Sequence, residues 1–231
     1  MHSNLQIVTL EMHSASMTNF SYLVSDGGHA VLIDPAWEMD KIRQALSATA
    51  VRLSAVLLTH SHSDHVNLAR SVEEKYDCPI WMSHHEITAS GFYARNLIGI
   101  DESPRTIGSM LIEPILTPGH TPGSLCFRIG NNLFTGDVLF AEGCGYCENL
   151  EAAYAMYASL EKLKGGILPQ TRIYPGHSFG KPPGQSISQV REDNMYLHFS
   201  SPESFAAFRL RAGQKKVSMR GFSMDAGVNV K

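Results

Sequence analysis

At 231 residues the chain can enclose a sizeable core, as one large domain or two small ones. Its formal net charge of −3, with 43% hydrophobic and 18% charged residues, describes an ordinary globular composition and gives no general electrostatic case for a nucleic-acid partner. The longest apolar runs, such as 30–33 and 55–58, fall far short of the roughly 20 residues a membrane span requires, so no membrane association is expected. Residues 1–17 lack a basic start followed by an apolar stretch, so they do not read as a secretory signal. The four irregularly spaced cysteines (Cys78, Cys126, Cys144, Cys147) suit a reducing compartment, and the cytoplasm is the expected location.

In chain order, residues 4–10 and 19–24 read as strands, and Ser25-Asp26-Gly27-Gly28 supplies a hairpin turn into a third strand at 29–33. Pro35 closes that strand, after which Met39, Ile42, Ala45, Leu46 and Thr49 recur at helical spacing. Residues 53–58 are almost wholly apolar, as in a strand buried on both faces. A helix is expected from near Asp64 through Leu68, Val72 and Tyr76, followed by a buried strand at 79–82. The stretch 84–105 is less regular and reads as a helical insertion or lid, with His84 and His85 on the surface.

Strands resume at 110–116, 125–129 and 133–135, the last two joined by Gly130-Asn131-Asn132. Leu150, Ala153, Tyr157 and Leu160 form the stripe of a helix that Gly165-Gly166 should stop. A final strand at 171–174 and helices at 186–197 and 202–210 follow. Strands, helix, strand, helix thus occur twice, which suggests two sheets packed inside two helical layers. Residues 1–211 are expected to form a single domain and 212–231 a flexible tail. Arg209, Arg211, Lys215, Lys216 and Arg220 read as a solvated helix end and tail.

The chemistry is concentrated in Thr59-His60-Ser61-His62-Ser63-Asp64-His65, three imidazoles and a carboxylate directly after a buried strand and at the mouth of a helix. The strand end gives a rigid platform, the turn aims His60 and His62 to one side, and the helix start brings Asp64 and His65 to a neighbouring position. One segment can then serve two cations. Imidazole and carboxylate without thiolate suit zinc or iron better than calcium or magnesium. His120, Asp137 and His177 are of the same chemical kind, lie in loops beside predicted strands, and each follows a glycine, which lets the backbone approach a cluster closely. Together these are seven candidate ligands.

His60-x-His62-x-Asp64-His65, Gly119-His120-Thr121-Pro122-Gly123, Gly136-Asp137 and Gly176-His177 resemble the metal motifs of the metallo-β-lactamase superfamily, in its glyoxalase II-like branch, over roughly residues 1–180. The resemblance implies an α+β four-layer αβ/βα sandwich, with two mixed β-sheets between helical layers. It implies two divalent cations, zinc before iron or manganese. His60, His62 and His120 would hold one; Asp64, His65 and His177 the other; Asp137 would bridge both. It further implies Asp34 as a supporting acidic residue and Asp64 as catalytic proton shuttle. Water shared by two dications loses a proton near neutral pH, so hydrolysis is the expected reaction, without a Ser or Cys nucleophile.

The turn Gly143-Cys144-Gly145 after Asp137 resembles that of glyoxalase II and persulfide dioxygenase, which points to sulfur-linked substrates. Yet Tyr146 stands where glyoxalase II has a basic residue for glutathione, Ser178-Phe179-Gly180 replaces Glu-Tyr-Thr, and the C-terminal region is shorter than the helical domain that grips glutathione there. The remaining similarity is to the PksB-type acyl hydrolases of bacterial polyketide clusters with separate acyltransferases. This implies a thioesterase acting on a small-molecule or carrier-protein-bound acyl thioester, with an acyl carrier protein as partner and Tyr146 and Phe179 as substrate-binding residues. The rival readings are hydroxyacylglutathione hydrolase, a one-iron persulfide dioxygenase, a lactone or β-lactam hydrolase, and a binding or sensing module with a vestigial site. Cys144-x-x-Cys147 reads as part of the turn, not as a redox pair.

Overall fold

The computed structural model describes residues 5–15 and 17–212. The expected tail, with Lys215, Lys216 and Arg220, lies almost wholly outside these residues. The first half contains β1 (Gln6–His13), β2 (Thr18–Ser25), β3 (His29–Ile33), α1 (Met39–Thr49), β4 (Arg52–Leu57), α2 (Ser63–Val66), α3 (Ala69–Tyr76), β5 (Ile80–Ser83), α4 (His84–Ser90) and β6 (Leu97–Ile100). The second contains β7 (Arg105–Ile107), β8 (Met110–Leu116), β9 (Leu125–Ile129), β10 (Asn132–Gly136), α5 (Leu150–Gly166), β11 (Arg172–Pro175), β12 (Gln185–Ser186), α6 (Ile187–Asp193), a 3₁₀ turn (Met195–Leu197) and α7 (Pro202–Arg209).

Each half builds a six-stranded sheet, in the orders β1-β2-β3-β4-β5-β6 and β12-β11-β10-β9-β8-β7. Both are mixed: β1 to β3 pair antiparallel and β3 to β6 parallel, while in the second sheet only β10 and β11 run parallel. Side-chain alternation sorts the core into three apolar layers. Phe20, Tyr22, Val31, Leu57, Phe127 and Phe134 fill the space between the sheets. Leu23, Leu32 and Val56 pack outward on Ile42, Leu46 and Val72 of α1 and α3. Leu133 and Ile173 pack outward on Met156, Leu160, Val190 and Phe205 of α5 to α7. The result is the expected four-layer sandwich.

Several elements differ from the sequence expectation. The helix expected from Asp64 to Tyr76 is two helices, because at Asn67–Leu68 the chain turns to bond the α1 approach: Asn67 Oδ1 accepts from Trp37 N (2.9 Å), and Leu68 N donates to Pro35 O (3.2 Å). Residues 84–105 are not a lid, since α4 is followed by β6, which pairs parallel with β5 as the sheet edge, although His84 and His85 are exposed as expected. The helix expected over 186–197 is interrupted at Asn194, whose side-chain amide donates to Phe140 O (3.1 Å) and Gly143 O (3.0 Å) instead. Gly165 and Gly166 end α5 from within it. Arg209 is turned inward, not solvated: its Nε donates to Gly145 O (2.8 Å).

Candidate metal centre

The seven candidate ligands converge where strands of both sheets end. His60 lies three residues after β4, Asp137 directly after β10, His177 two residues after β11, and His120 in the β8–β9 loop. His62 caps α2 in extended geometry (φ −62°, ψ 144°), so the chain changes direction there, and Asp64 and His65 occupy the helical turn that follows. The two sheets are joined at this point, since Thr59 O accepts from Leu125 N (2.8 Å) and Gly176 O from Phe20 N (2.8 Å).

The donor atoms form two groups. Those of His60, His62 and His120 lie within 4.8 Å of one another, as do those of Asp64, His65 and His177. Asp137 reaches both groups: Oδ1 is 3.4 Å from His65 Nε2, while Oδ2 is 3.5 Å from His120 Nε2 and 3.6 Å from His177 Nε2. The glycine before His177 is a steric requirement, because a Cβ on Gly176 would stand 2.5 Å from His65 Cε1 and 2.6 Å from Asp137 Oδ1.

Four imidazoles have their Nδ1 engaged by acceptors. His60 meets Thr59 Oγ1 (3.0 Å), His65 meets Asp34 Oδ2 (2.9 Å), His120 meets Tyr146 O (2.9 Å) and His177 meets Thr18 O (2.9 Å). A proton held on Nδ1 leaves the Nε2 lone pair facing the cluster, the tautomer a cation needs. Asp34 anchors this arrangement from a left-handed backbone (φ 49°), its carboxylate also accepting from Thr59 N (2.8 Å) and Thr59 Oγ1 (2.6 Å). Asp34 lies within 4.8 Å of His60 and His65 donors as well, but its carboxylate is already engaged by three hydrogen bonds, two from Thr59 and one with His65.

The donor set fits a pair of cations. His60 Nε2, His65 Nε2, Asp64 Oδ1 and Asp137 Oδ1 are all buried and lack any hydrogen-bond partner, a costly arrangement unless something else binds them. The electrostatics agree. Burial, with the crowding of His65, His120 and His62, pushes His60 well below the ordinary imidazole value. Burial and His120 bring His62 down to about 4, and burial also lowers His120. These three are neutral at pH 7, and His62 Nδ1 and His120 Nε2 share a hydrogen bond (2.9 Å) that a cation between them would replace. In the other group burial pulls His65 down, but Asp137, Asp64 and Asp34 outweigh it and raise the ring to about 10. Burial likewise works against the charged form of Asp64, yet His65 and His177 hold its carboxyl well below the usual carboxylate range. Protons there occupy the place a cation would take.

Tyr146 and Phe179 both border the site. Tyr146 is 39% exposed under the Arg209 guanidinium (5.6 Å from the ring centroid), and its carbonyl orients His120. Phe179 is 68% exposed and meets Phe140 edge-on at 5.2 Å, with Phe140 in turn 6.3 Å from His177. Cys144 and Cys147 are buried and free, and burial raises both thiols, Cys147 to about 11, which leaves no reactive dithiol. Sequence reasoning missed Thr59, Thr18 and Arg209. A hydroxyl immediately before His60 was the available signal for Thr59; Thr18 acts through its carbonyl and leaves no side-chain trace.

A sequence profile of the metallo-beta-lactamase superfamily matches residues 17–177. The chain is 41% identical over 204 residues to the "Probable polyketide biosynthesis zinc-dependent hydrolase PksB" of Bacillus subtilis, covering 87% of this chain and 91% of that one. It is 30% identical over 171 residues to a hydroxyacylglutathione hydrolase of Anaeromyxobacter dehalogenans, covering 71% of this chain but 63% of that enzyme. The crystal structure of a metallo-beta-lactamase from Staphylococcus aureus shares the fold with a TM-score of 0.81 at 20% identity, covering 93% of this chain and 68% of that one. The sandwich, the ligand motifs at its strand ends and the profile match together make this chain a member of the metallo-beta-lactamase superfamily.

Proposed function

We propose that the chain is a zinc-dependent hydrolase of polyketide biosynthesis, and more specifically a binuclear thioesterase that releases acyl groups from pantetheine or acyl-carrier-protein thioesters. The observation that carries the reading is the set of buried donor atoms left without hydrogen bonds in two adjoining groups that share Asp137. The PksB likeness supports the pathway and the zinc.

When bound, two such cations supply a nucleophile from water near neutral pH and polarise the scissile carbonyl. The protein's own part is to hold and to move protons. His60, His62 and His120 present neutral donors on one side; Asp64, His65 and His177 hold the other, and Asp137 spans them. Asp64 keeps an ionised carboxylate with one free oxygen in the cluster. It accepts the proton released by water and delivers it to the departing sulfur, so that thioester and water become acid and thiol.

A cavity of about 480 Å³ beside His177, lined among others by Thr9, Glu11, Thr18, Phe20, Ser178 and Pro182, supports a neutral acyl-pantetheine arm. Its hydroxyls can bond amides, none of the described lining residues is Lys or Arg, and Glu11 opposes the carboxylates of glutathione. Tyr146 and Phe179 contribute aromatic walls. Hydrolysis of lactoylglutathione is the second reading, favoured by the 30% identity to a hydroxyacylglutathione hydrolase, although this chain spans 63% of that enzyme.

One panel separates these readings: zinc-loaded protein offered acyl-pantetheine thioesters, acyl-carrier protein, lactoylglutathione, a homoserine lactone and glutathione persulfide. Fastest turnover of short acyl-pantetheine thioesters is expected. Faster turnover of lactoylglutathione returns the protein to glyoxalase II chemistry, and oxygen uptake with the persulfide to dioxygenase chemistry.

A further inference from the structure

Glu86 is buried at the start of α4, outside every motif that carries the family resemblance. Ser83-His84-His85-Glu86 has the form of a helix capping box, and Ser83 Oγ does accept from Glu86 N (2.9 Å). The Glu86 carboxylate, however, reaches away from its own helix. Oε1 accepts from Ser61 N (2.9 Å) and Ser61 Oγ (2.5 Å), between His60 and His62. Oε2 accepts from Thr121 Oγ1 (2.7 Å) and Gly123 N (3.0 Å), in the loop of His120. Ser83 Oγ fastens the same loop by donating to Gly123 O (2.6 Å). One carboxylate therefore ties together two loops that are distant in sequence, and each carries imidazoles of the same group.

We propose that Glu86 is a positioning residue for the His60, His62 and His120 group: its carboxylate sets the separation of the two loops and so the fit of the three imidazoles to a cation. The inference rests on the reading that this group holds one. No other chemistry accounts for Glu86. Among the described residues it has no Lys, Arg or His within salt-bridge distance, and a buried carboxylate without a cationic partner is expensive. Four donors, and the positive charge of a cation in the neighbouring group, offset that cost. The loops join the strands where Thr117 N meets Ser124 O (2.9 Å) and Leu125 N meets Thr59 O (2.8 Å), and Ser159 Oγ also holds the His120 loop by donating to Pro118 O (2.7 Å), but none of these bonds links the two loops through a side chain as Glu86 does.

The test is Glu86→Gln in the full chain. The substitution keeps the shape but turns one acceptor into an amino group, which must face either Ser61 N–H or Gly123 N–H. Affinities of the two zinc ions are measured by chelator competition, the visible spectrum of the cobalt-substituted protein reports the geometry, and amide exchange of Ser61 and Gly123 reports the loops. The expected result is one cation weakened by about 10- to 100-fold with an altered cobalt spectrum, the other cation unchanged, and faster exchange at both amides. Glu73→Gln is the control for a merely structural carboxylate: Glu73, buried in α3, accepts from Arg95 N (3.2 Å) and Asn96 N, and its loss should lower stability without moving either affinity.

Unchanged affinities and spectrum in Glu86→Gln overturn the proposal. Should that variant fail to fold, Ser61→Ala removes one donor and leaves no donor facing another; a smaller loss at the same cation is expected, and no loss overturns the proposal equally. If the unmodified protein binds no cation at all, the reading of the site fails first, a result distinct from an unaffected variant.

Discussion

Asp34→Asn isolates the role of the hydrogen bonds behind the ligands. The side chain is almost fully buried, and its left-handed backbone is one that Asn tolerates well, so the substitution changes little except the acceptor set. The native carboxylate accepts three bonds, from Thr59 N (2.8 Å), Thr59 Oγ1 (2.6 Å) and His65 Nδ1 (2.9 Å). An amide keeps one oxygen. If that oxygen stays on Thr59 N, the amino group faces Thr59 Oγ1 and His65 Nδ1; if the amide flips, it faces Thr59 N–H. A buried donor set against a donor costs about 1–3 kcal/mol, and in a chain of this size each kcal/mol lowers the melting temperature by about 2–4 °C. His65 can relieve the clash by moving its proton to Nε2, which removes the lone pair the second group needs. That cation should weaken by about 10- to 100-fold, or about 1.4–2.7 kcal/mol. Chelator competition and thermal melting of the metal-free protein measure the two effects separately. Two zinc ions held with unchanged affinity, in a variant that melts like the unmodified chain, would refute this account of Asp34.

Three further substitutions probe other parts of the account. In zinc-saturated Asp64→Asn kcat should fall by about 100-fold or more; near-normal turnover in the loaded variant removes Asp64 as proton carrier. Glu11→Lys should raise kcat/KM for lactoylglutathione relative to an acyl-pantetheine thioester, and an unchanged ratio means that the cavity beside His177 does not meet the substrate's arm. Asp26 joins the β2–β3 turn to the β7–β8 turn, accepting from Ser109 N (2.6 Å), His29 N (2.8 Å) and Gly28 N (3.0 Å), and these bonds hold its carboxyl below the ordinary range. A folded value below the unfolded value of about 3.9 stabilises at pH above 4 and is lost as pH falls through the folded value. Asp26→Asn should therefore cost about 1 kcal/mol at pH 7 and less in acid, and parallel pH-stability curves for the two proteins would contradict this.

The convergence of the seven candidate ligands was legible because each sits in a short motif whose residue types have few other uses, and because strand ends are marked by the apolar runs before them. Asp34 was singled out only through the family resemblance, and the folded chain shows its carboxylate bonded to His65 and Thr59. The residues that orient the ligands were less so. Thr18 and Tyr146 act through backbone carbonyls, which any residue carries. Glu86 looks in sequence like a helix-capping residue, and only the folded chain shows its carboxylate spent on Ser61, Thr121 and Gly123. Periodicity placed α1, β3 and β9 at the bounds observed, but could not show the break at Asn67–Leu68, which depends on contacts with the α1 approach. The edge strand β6 was lost because Leu97-Ile98-Gly99-Ile100 is short and contains a glycine. That glycine makes room for the His84 ring, a contact invisible in one dimension. Arg209 reads as the end of a basic patch, yet aromatic rings of Tyr146 and Tyr196 draw it inward.

The most direct measurement is anomalous diffraction at the zinc edge from crystals of the zinc-loaded protein. Two peaks about 3.5–4 Å apart are predicted, one among His60, His62 and His120, the other among Asp64, His65 and His177, with the Asp137 carboxylate between them. A fully loaded crystal with no zinc at these side chains, or with a single ion coordinated elsewhere, would contradict the account.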